Sequence, residues 1–273
     1  MRLPNRRDLL VGACSLGSLA QGASSREDAP RRRKEVVTGG YPGDPEYGCG
    51  GTIARLADLG HPVVLLYLND GVPAGKPKDG VRVAEAGKAC DILKPRPLFA
   101  GQADGEAVID REHCEAFRKL LACESPDVVF THWPIDDHAD HRAMSMLVYD
   151  AWLRMGRRFA LYYYEVSNGE DTLQFAPTHH VDITIAEPRK RRACFAHASQ
   201  SPEKFYALQE QVTRFRGIER GCQHARASSV TSGAPTSRSR PPYEPPTTSL
   251  GTEPCPCFPD STSPRIDRPR QPG

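Results

Sequence analysis

No run of the chain stays apolar for the roughly 20 residues that a membrane-crossing helix needs, which excludes a multi-span membrane protein. Charge of one sign is not in excess. The 36 Lys and Arg stand against 34 Asp and Glu, a net charge of +2, so no broad electrostatic field points to nucleic acid. The nine cysteines contain no C-x-x-C pair and are scattered, so they form neither a disulfide framework nor a cysteine-based zinc site. G-x-G-x-x-G is also missing. Gly48, Gly50 and Gly51 are spaced G-x-G-G, and Pro42 and Pro45 remove amide donors just ahead of them. That counts against a phosphate cradle and a nucleotide ligand. What is present is ordinary globular material: 273 residues, 38% hydrophobic, with Leu, Val and Ile concentrated in the middle of the chain.

The ends differ in kind from that middle. Residues 1–23 carry Arg6-Arg7-Asp8-Leu9-Leu10, a modest apolar stretch and small residues at Gly22 and Ala23. This is the layout of an export signal, and the order resembles a bacterial twin-arginine signal cleaved near residues 22–24. The expectation is an exported, periplasmic or otherwise extracytoplasmic protein. Residues 24–34 read as a basic linker. Residues 222–273 hold 11 of the 25 prolines, with many Ser and Thr. Such a stretch buries too little to offset its ordering entropy and is expected to be a disordered tail, whether linker, wall-proximal segment or frameshifted end. Residues 35–221 remain as one domain.

Within it, strand and helix patterns alternate. Short apolar strands are expected at 35–40, 62–68, 97–100, 127–131, 159–166 and 181–185. Helices are expected at 49–59, 81–93, 110–123 and 139–155, with a long helical region at 188–216. This alternation predicts an α/β fold with a mostly parallel sheet. In such folds, ligands bind beyond the carboxyl ends of the strands. Several side features read as structural. Tyr162–Tyr164 suit strand packing more than sugar stacking. Arg189–Arg192 suit a solvated helix face. Cys49, Cys90, Cys123 and Cys194 suit small apolar packing.

Two clusters follow strands directly. The first, Gly39 to Thr52, carries Asp44 and Glu46 in a glycine- and proline-rich loop. The second, Thr131 to His141, packs His132, His138 and His141 with Asp136, Asp137 and Asp140. Imidazoles and carboxylates at a strand end suit zinc or another divalent first-row metal.

These residues resemble the LmbE-like, or PIG-L, zinc-dependent deacetylases. Pro134-Ile135-Asp136-Asp137-His138-Ala139-Asp140-His141 matches that family's Pro-x-Asp-x-His-x-Asp-His pattern. Asp44-Pro45-Glu46-Tyr47-Gly48-Cys49-Gly50-Gly51-Thr52 looks like a variant of its first motif. His197-Ala198-Ser199-Gln200 resembles a further signature. The resemblance implies a Rossmann-like three-layer sandwich and removal of an N-acetyl group from a small carbohydrate substrate. It implies Asp44 and His141 as ligands of Zn2+ or another divalent first-row metal, with Tyr41 at the position of the family's histidine ligand. It implies His138 at the oxyanion and Asp140 orienting an imidazole. The family's general base falls on Gly43, so Glu46, Asp137 or Asp140 would have to substitute. Tyr41 and Gly43 also leave open a catalytically impaired member that binds glycans.

Overall fold

The computed structural model describes residues 32–77, 79–167 and 171–231. The expected signal at 1–23, most of the linker and the tail beyond residue 231 lie outside the described residues. The described residues form seven strands: β1 (Glu35–Gly39), β2 (Val63–Pro73), β3 (Arg96–Asp104), β4 (Val128–His132), β5 (Ala160–Tyr164), β6 (His179–Asp182) and β7 (Ala225–Val230). The helices are α1 (Asp44–Asp58), α2 (Val81–Leu93), α3 (Arg111–Glu124), α4 (Ala139–Arg154), α5 (Glu187–Phe195) and α6 (Pro202–Arg220). The strands form one sheet in the order β3-β2-β1-β4-β5-β7-β6. Pairing is parallel from β3 to β5 and antiparallel at β7 and β6.

The apolar strand residues alternate between the two faces, as the two-residue period of a strand requires. Val36, Val64, Leu66 and Val129 pack with Phe117, Leu121, Met144, Leu147 and Trp152 of α3 and α4. Val37, Leu65, Tyr67 and Phe130 pack with Ile53, Ala86, Leu93 and Ala193 of α1, α2 and α5. The result is a three-layer α/β sandwich. Strand order reverses between β1 and β4, because β2 and β3 lie on one side of that pair and β5 on the other. The loops leaving β1 and β4 therefore diverge and open a crevice at the switch point.

Three expectations are corrected. First, α1 begins at Asp44, so Asp44 and Glu46 are helical rather than in a loop. Gly43 makes the turn at φ 115°, and Pro45 sits in the first turn, where its missing N–H has no partner to lose. The glycines of α1 serve close packing: a Cβ on Gly51 would lie 2.7 Å from the Ile183 side chain. Second, the region 188–216 is two helices. They break at Ala196–Ser201, where Ser201 takes φ 51° just before Pro202. Third, order does not end at Gly221. That glycine is the left-handed C-cap of α6, and residues 225–230 form β7 between β5 and β6. The polar composition of β7 hides this because both terminal nitrogens of its buried arginine find partners inside the fold. Arg226 donates to the Glu165 carbonyl and to Gln209 Oε1.

The basic run 189–192 is not uniformly solvated, since Lys190 is fully buried. Cys49, Cys90 and Cys194 are buried, whereas Cys123 is exposed. Tyr164 is buried and donates to the Thr38 carbonyl at 2.6 Å. Among the described residues, no helix is long and apolar enough to cross a membrane.

Candidate metal centre

The crevice between β1 and β4 brings together Asp44, His132 and His141. Their ligand atoms all lie within 4.8 Å of one another. Each arrives from a different element. Asp44 opens α1, His132 closes β4, and His141 sits in the first turn of α4. One carboxylate oxygen is the hub. Asp44 Oδ2 accepts from the Tyr41 backbone N–H at 2.8 Å and lies 3.2 Å from His141 Nε2 and 3.3 Å from His132 Nε2. The two imidazoles stack, with centroids 4.0 Å apart.

The surrounding groups set the charges. Burial alone would raise Asp44, but His141 and His132 hold it well below the usual carboxylate range. Burial would likewise lower His141, yet Asp44 and Asp136 push it up to about 10. His132 is buried and faces the charged His141, and it falls to about 4. His141 is steered by Asp136, whose Oδ1 lies 3.0 Å from His141 Nδ1 and whose Oδ2 accepts from Thr172 Oγ1 at 3.0 Å. A carboxylate behind a ligating imidazole fixes its tautomer and direction. His132 Nε2 accepts from the Gly40 N–H at 3.0 Å, and its buried Nδ1 has no partner among the described residues. Two imidazoles and a carboxylate, with one imidazole already steered from behind, fit a divalent first-row ion.

The other expected site residues are placed as follows. Tyr41 stands beside the triad. Its ring meets His138 and His141 edge-on at 5.9 and 5.7 Å, and its hydroxyl interacts with Asp140 and Asp104. Burial and those carboxylates push the phenol above its ordinary range, so it stays protonated and is a poor ligand. The third donor position is taken by His132, which the sequence reading did not assign. Asp140 does not orient an imidazole. It accepts from Asn69 Nδ2 at 3.0 Å and from the Gly105 N–H at 2.9 Å, tying α4 to the ends of β2 and β3. Consecutive helical residues point about 100° apart, so Asp140 and His141 face different neighbours. Asp136, in the turn before α4, takes the orienting role. Glu46 is fully buried and bonds to Tyr67 and His197 rather than to the triad. Asp137 is exposed. His138 lies at the rim, half exposed, with its ring 4.7 Å from that of His141 and its Nε2 3.6 Å from Asp171 Oδ1.

Beside the turn lies a cavity of about 270 Å³ lined in part by Gly71, Val72, Arg82, Ser199 and Gln200. Arg82 joins it to the site, because its Nη2 donates to the Pro42 carbonyl at 2.7 Å. Sequence reasoning did not assign His132 to the donor set or Asp136 to the orienting role. The signal for His132 was its place at the carboxyl end of an otherwise apolar strand.

The chain is similar to several known proteins. Residues 36–152 match the family model described as PIG-L, GlcNAc-PI de-N-acetylase. The diacetylchitobiose deacetylase of Thermococcus kodakarensis is 28% identical over 193 residues, which cover 64% of this chain and 72% of that protein. A conserved protein of Thermus thermophilus superposes with a TM-score of 0.65 at 26% identity, over 77% of this chain and 100% of that one. N,N'-diacetylchitobiose deacetylase from Pyrococcus horikoshii, solved with its inhibitor MPG, shares the fold with a TM-score of 0.63 at 23% identity. That match covers 73% of this chain and 84% of that one. The matched PIG-L family model spans β1 to α4, the segment that supplies Asp44, His132 and His141, so the chain's similarity to that family lies in the part that carries the candidate metal centre.

Proposed function

We propose that this protein is a metal-dependent hydrolase that removes an N-acetyl group from a sugar or sugar conjugate. The single observation that carries this reading is the Asp44–His132–His141 donor cluster at the strand-order switch point. These three residues would hold the ion, for which Zn2+ is the first candidate. A divalent ion held there supplies a Lewis acid for the acyl carbonyl and lowers the pKa of a water toward 7.

The protein's own groups complete the task. His138, half exposed at the rim, is placed to donate to the oxygen on which charge develops as the acyl carbon becomes tetrahedral. Arg82 and the cavity beside it offer a charged, partly enclosed place for the sugar hydroxyls. Asp136 holds His141 in register. The same proposal takes the activity to lie outside the cytoplasm, supported by the resemblance of residues 1–23 to a twin-arginine export signal.

The test is acetate release from diacetylchitobiose and from N-acetylglucosamine conjugates by the zinc-loaded full chain. Turnover that disappears in Asp44→Asn supports the reading. Saturable sugar binding without turnover would instead favour a glycan-binding protein. The absence of a side chain at Gly43 makes that second reading specific.

A further inference from the structure

The turn into α1 has no side chain at residue 43, immediately before the candidate ligand Asp44. A Cβ placed on Gly43 would lie 3.7 Å from the Tyr47 ring and 3.8 Å from Cγ of His197. Both are ordinary contacts, so the space beside Gly43 admits a small group such as a water. The ring that borders this space is fully buried. His197 Nε2 lies 3.1 Å from Glu46 Oε1, and among the described residues its buried Nδ1 has no hydrogen-bond partner. The same Glu46 oxygen also accepts from the Tyr67 hydroxyl at 2.7 Å. Tyr67 already donates to Glu46 Oε1, so that oxygen acts as an acceptor, Nε2 carries the proton that faces it, and Nδ1 presents a lone pair. A buried lone pair without a donor is costly, and it calls for a partner that this space can seat.

We propose that His197, positioned by Glu46, is the proton acceptor of the hydrolysis, acting on a water seated beside Gly43. This rests on the deacetylase reading above. The water oxygen bonds to the acyl carbon as one water proton passes to His197 Nδ1. The carbon–nitrogen bond then breaks, and the imidazolium returns that proton to the departing amine. Acetate and the free amino sugar leave, and the imidazole is neutral again. A carboxylate remains behind the ring throughout, which favours the transient imidazolium. His197 thus does from α5's end what a carboxylate on residue 43 would do from the turn itself.

The experiment uses the zinc-loaded full chain and diacetylchitobiose. His197→Gln is expected to lower kcat by about 100-fold or more, the scale of general base catalysis, with KM and bound zinc unchanged. Glu46→Gln is expected to lower kcat with KM unchanged, and Gly43→Asp to restore part of the turnover lost in His197→Gln. In the unmutated chain, 15N-imidazole NMR at neutral pH should show His197 as the Nε2–H tautomer, and this reading does not depend on any variant folding. Wild-type kcat in His197→Gln, zinc loss in that variant, or the Nδ1–H tautomer would each overturn the proposal. An inactive wild type that Gly43→Asp activates overturns it while sustaining the deacetylase reading. Inactivity of both overturns the two together.

Discussion

Lys190 gives the sharpest energetic prediction. Its side chain is fully buried between α5 and the glycine-rich α1, and among the described residues Nζ has no hydrogen-bond partner. The ammonium lies over the face of the Tyr206 ring, 5.4 Å from the centroid. Burial, with Arg226 nearby, lowers its pKa from 10.5 to about 7. The unfolded chain therefore holds this proton up to about pH 10.5 and the folded chain only up to about pH 7. Between those values the unfolded state binds more protons, so stability rises with pH. At 1.36 kcal/mol per pH unit, the group costs on the order of 4 kcal/mol at pH 7, and almost nothing above pH 10.5. Lys190→Met keeps the length and the packing against Gly50 and removes the charge. It should stabilise the full chain by on the order of 2–4 kcal/mol at pH 7, and the gain should shrink steadily toward pH 10. Urea denaturation at pH 7, 8.5 and 10 measures this directly. A destabilised variant, or a gain that does not change with pH, would refute the reasoning.

Other substitutions test separate parts of the account. Glu165→Ala removes the two-pronged partner of the buried Arg216, whose Nε and Nη2 each lie 2.8 Å from a Glu165 oxygen. Arg216 then keeps only the part-exposed Glu219, whose Oε2 lies 2.9 Å from Nη1, and the loss should cost about 3 kcal/mol, the low end for a broken buried pair, in thermal or urea unfolding. Gly51→Ala drives a methyl to 2.7 Å from Ile183 and should destabilise by about 1–3 kcal/mol, measured the same way. Asp136→Asn weakens the group behind His141 and should reduce zinc affinity by about 10–100-fold in competition with a chromophoric chelator, with the fold intact by circular dichroism.

Much of the fold is legible in the sequence because buried parallel strands leave a plain mark. Val63–Leu68 and Val128–Phe130 are continuous apolar runs, and each reads as a strand. The far edge of the sheet is not legible. β7 reads Ala-Arg-Ala-Ser-Ser-Val, and only tertiary partners make its arginine a core residue. Gly221, which looks like the end of order, is a helix cap that turns the chain back into the sheet. The site shows the same division. Composition locates the histidine- and aspartate-rich segment after β4, and the family resemblance marks Asp44 and His141. Which imidazole joins them depends on where each side chain points, which spacing does not reveal. His138 follows the turn to the rim, while His132, at the strand terminus, lies within 3.3 Å of Asp44 Oδ2. Glu46 and Asp140 look like site carboxylates because they neighbour ligands in sequence. The helical rotation of about 100° per residue sends both elsewhere.

The central claim is that Asp44, His132 and His141 form one metal-binding unit. It is tested most directly by counting zinc per chain in the full-length protein and in His132→Gln, by mass spectrometry after zinc loading and removal of loosely bound ions. The account predicts about one zinc per chain in the unmutated protein and a clear loss in His132→Gln with the fold retained. No zinc in the unmutated protein, or undiminished zinc in His132→Gln, would contradict it.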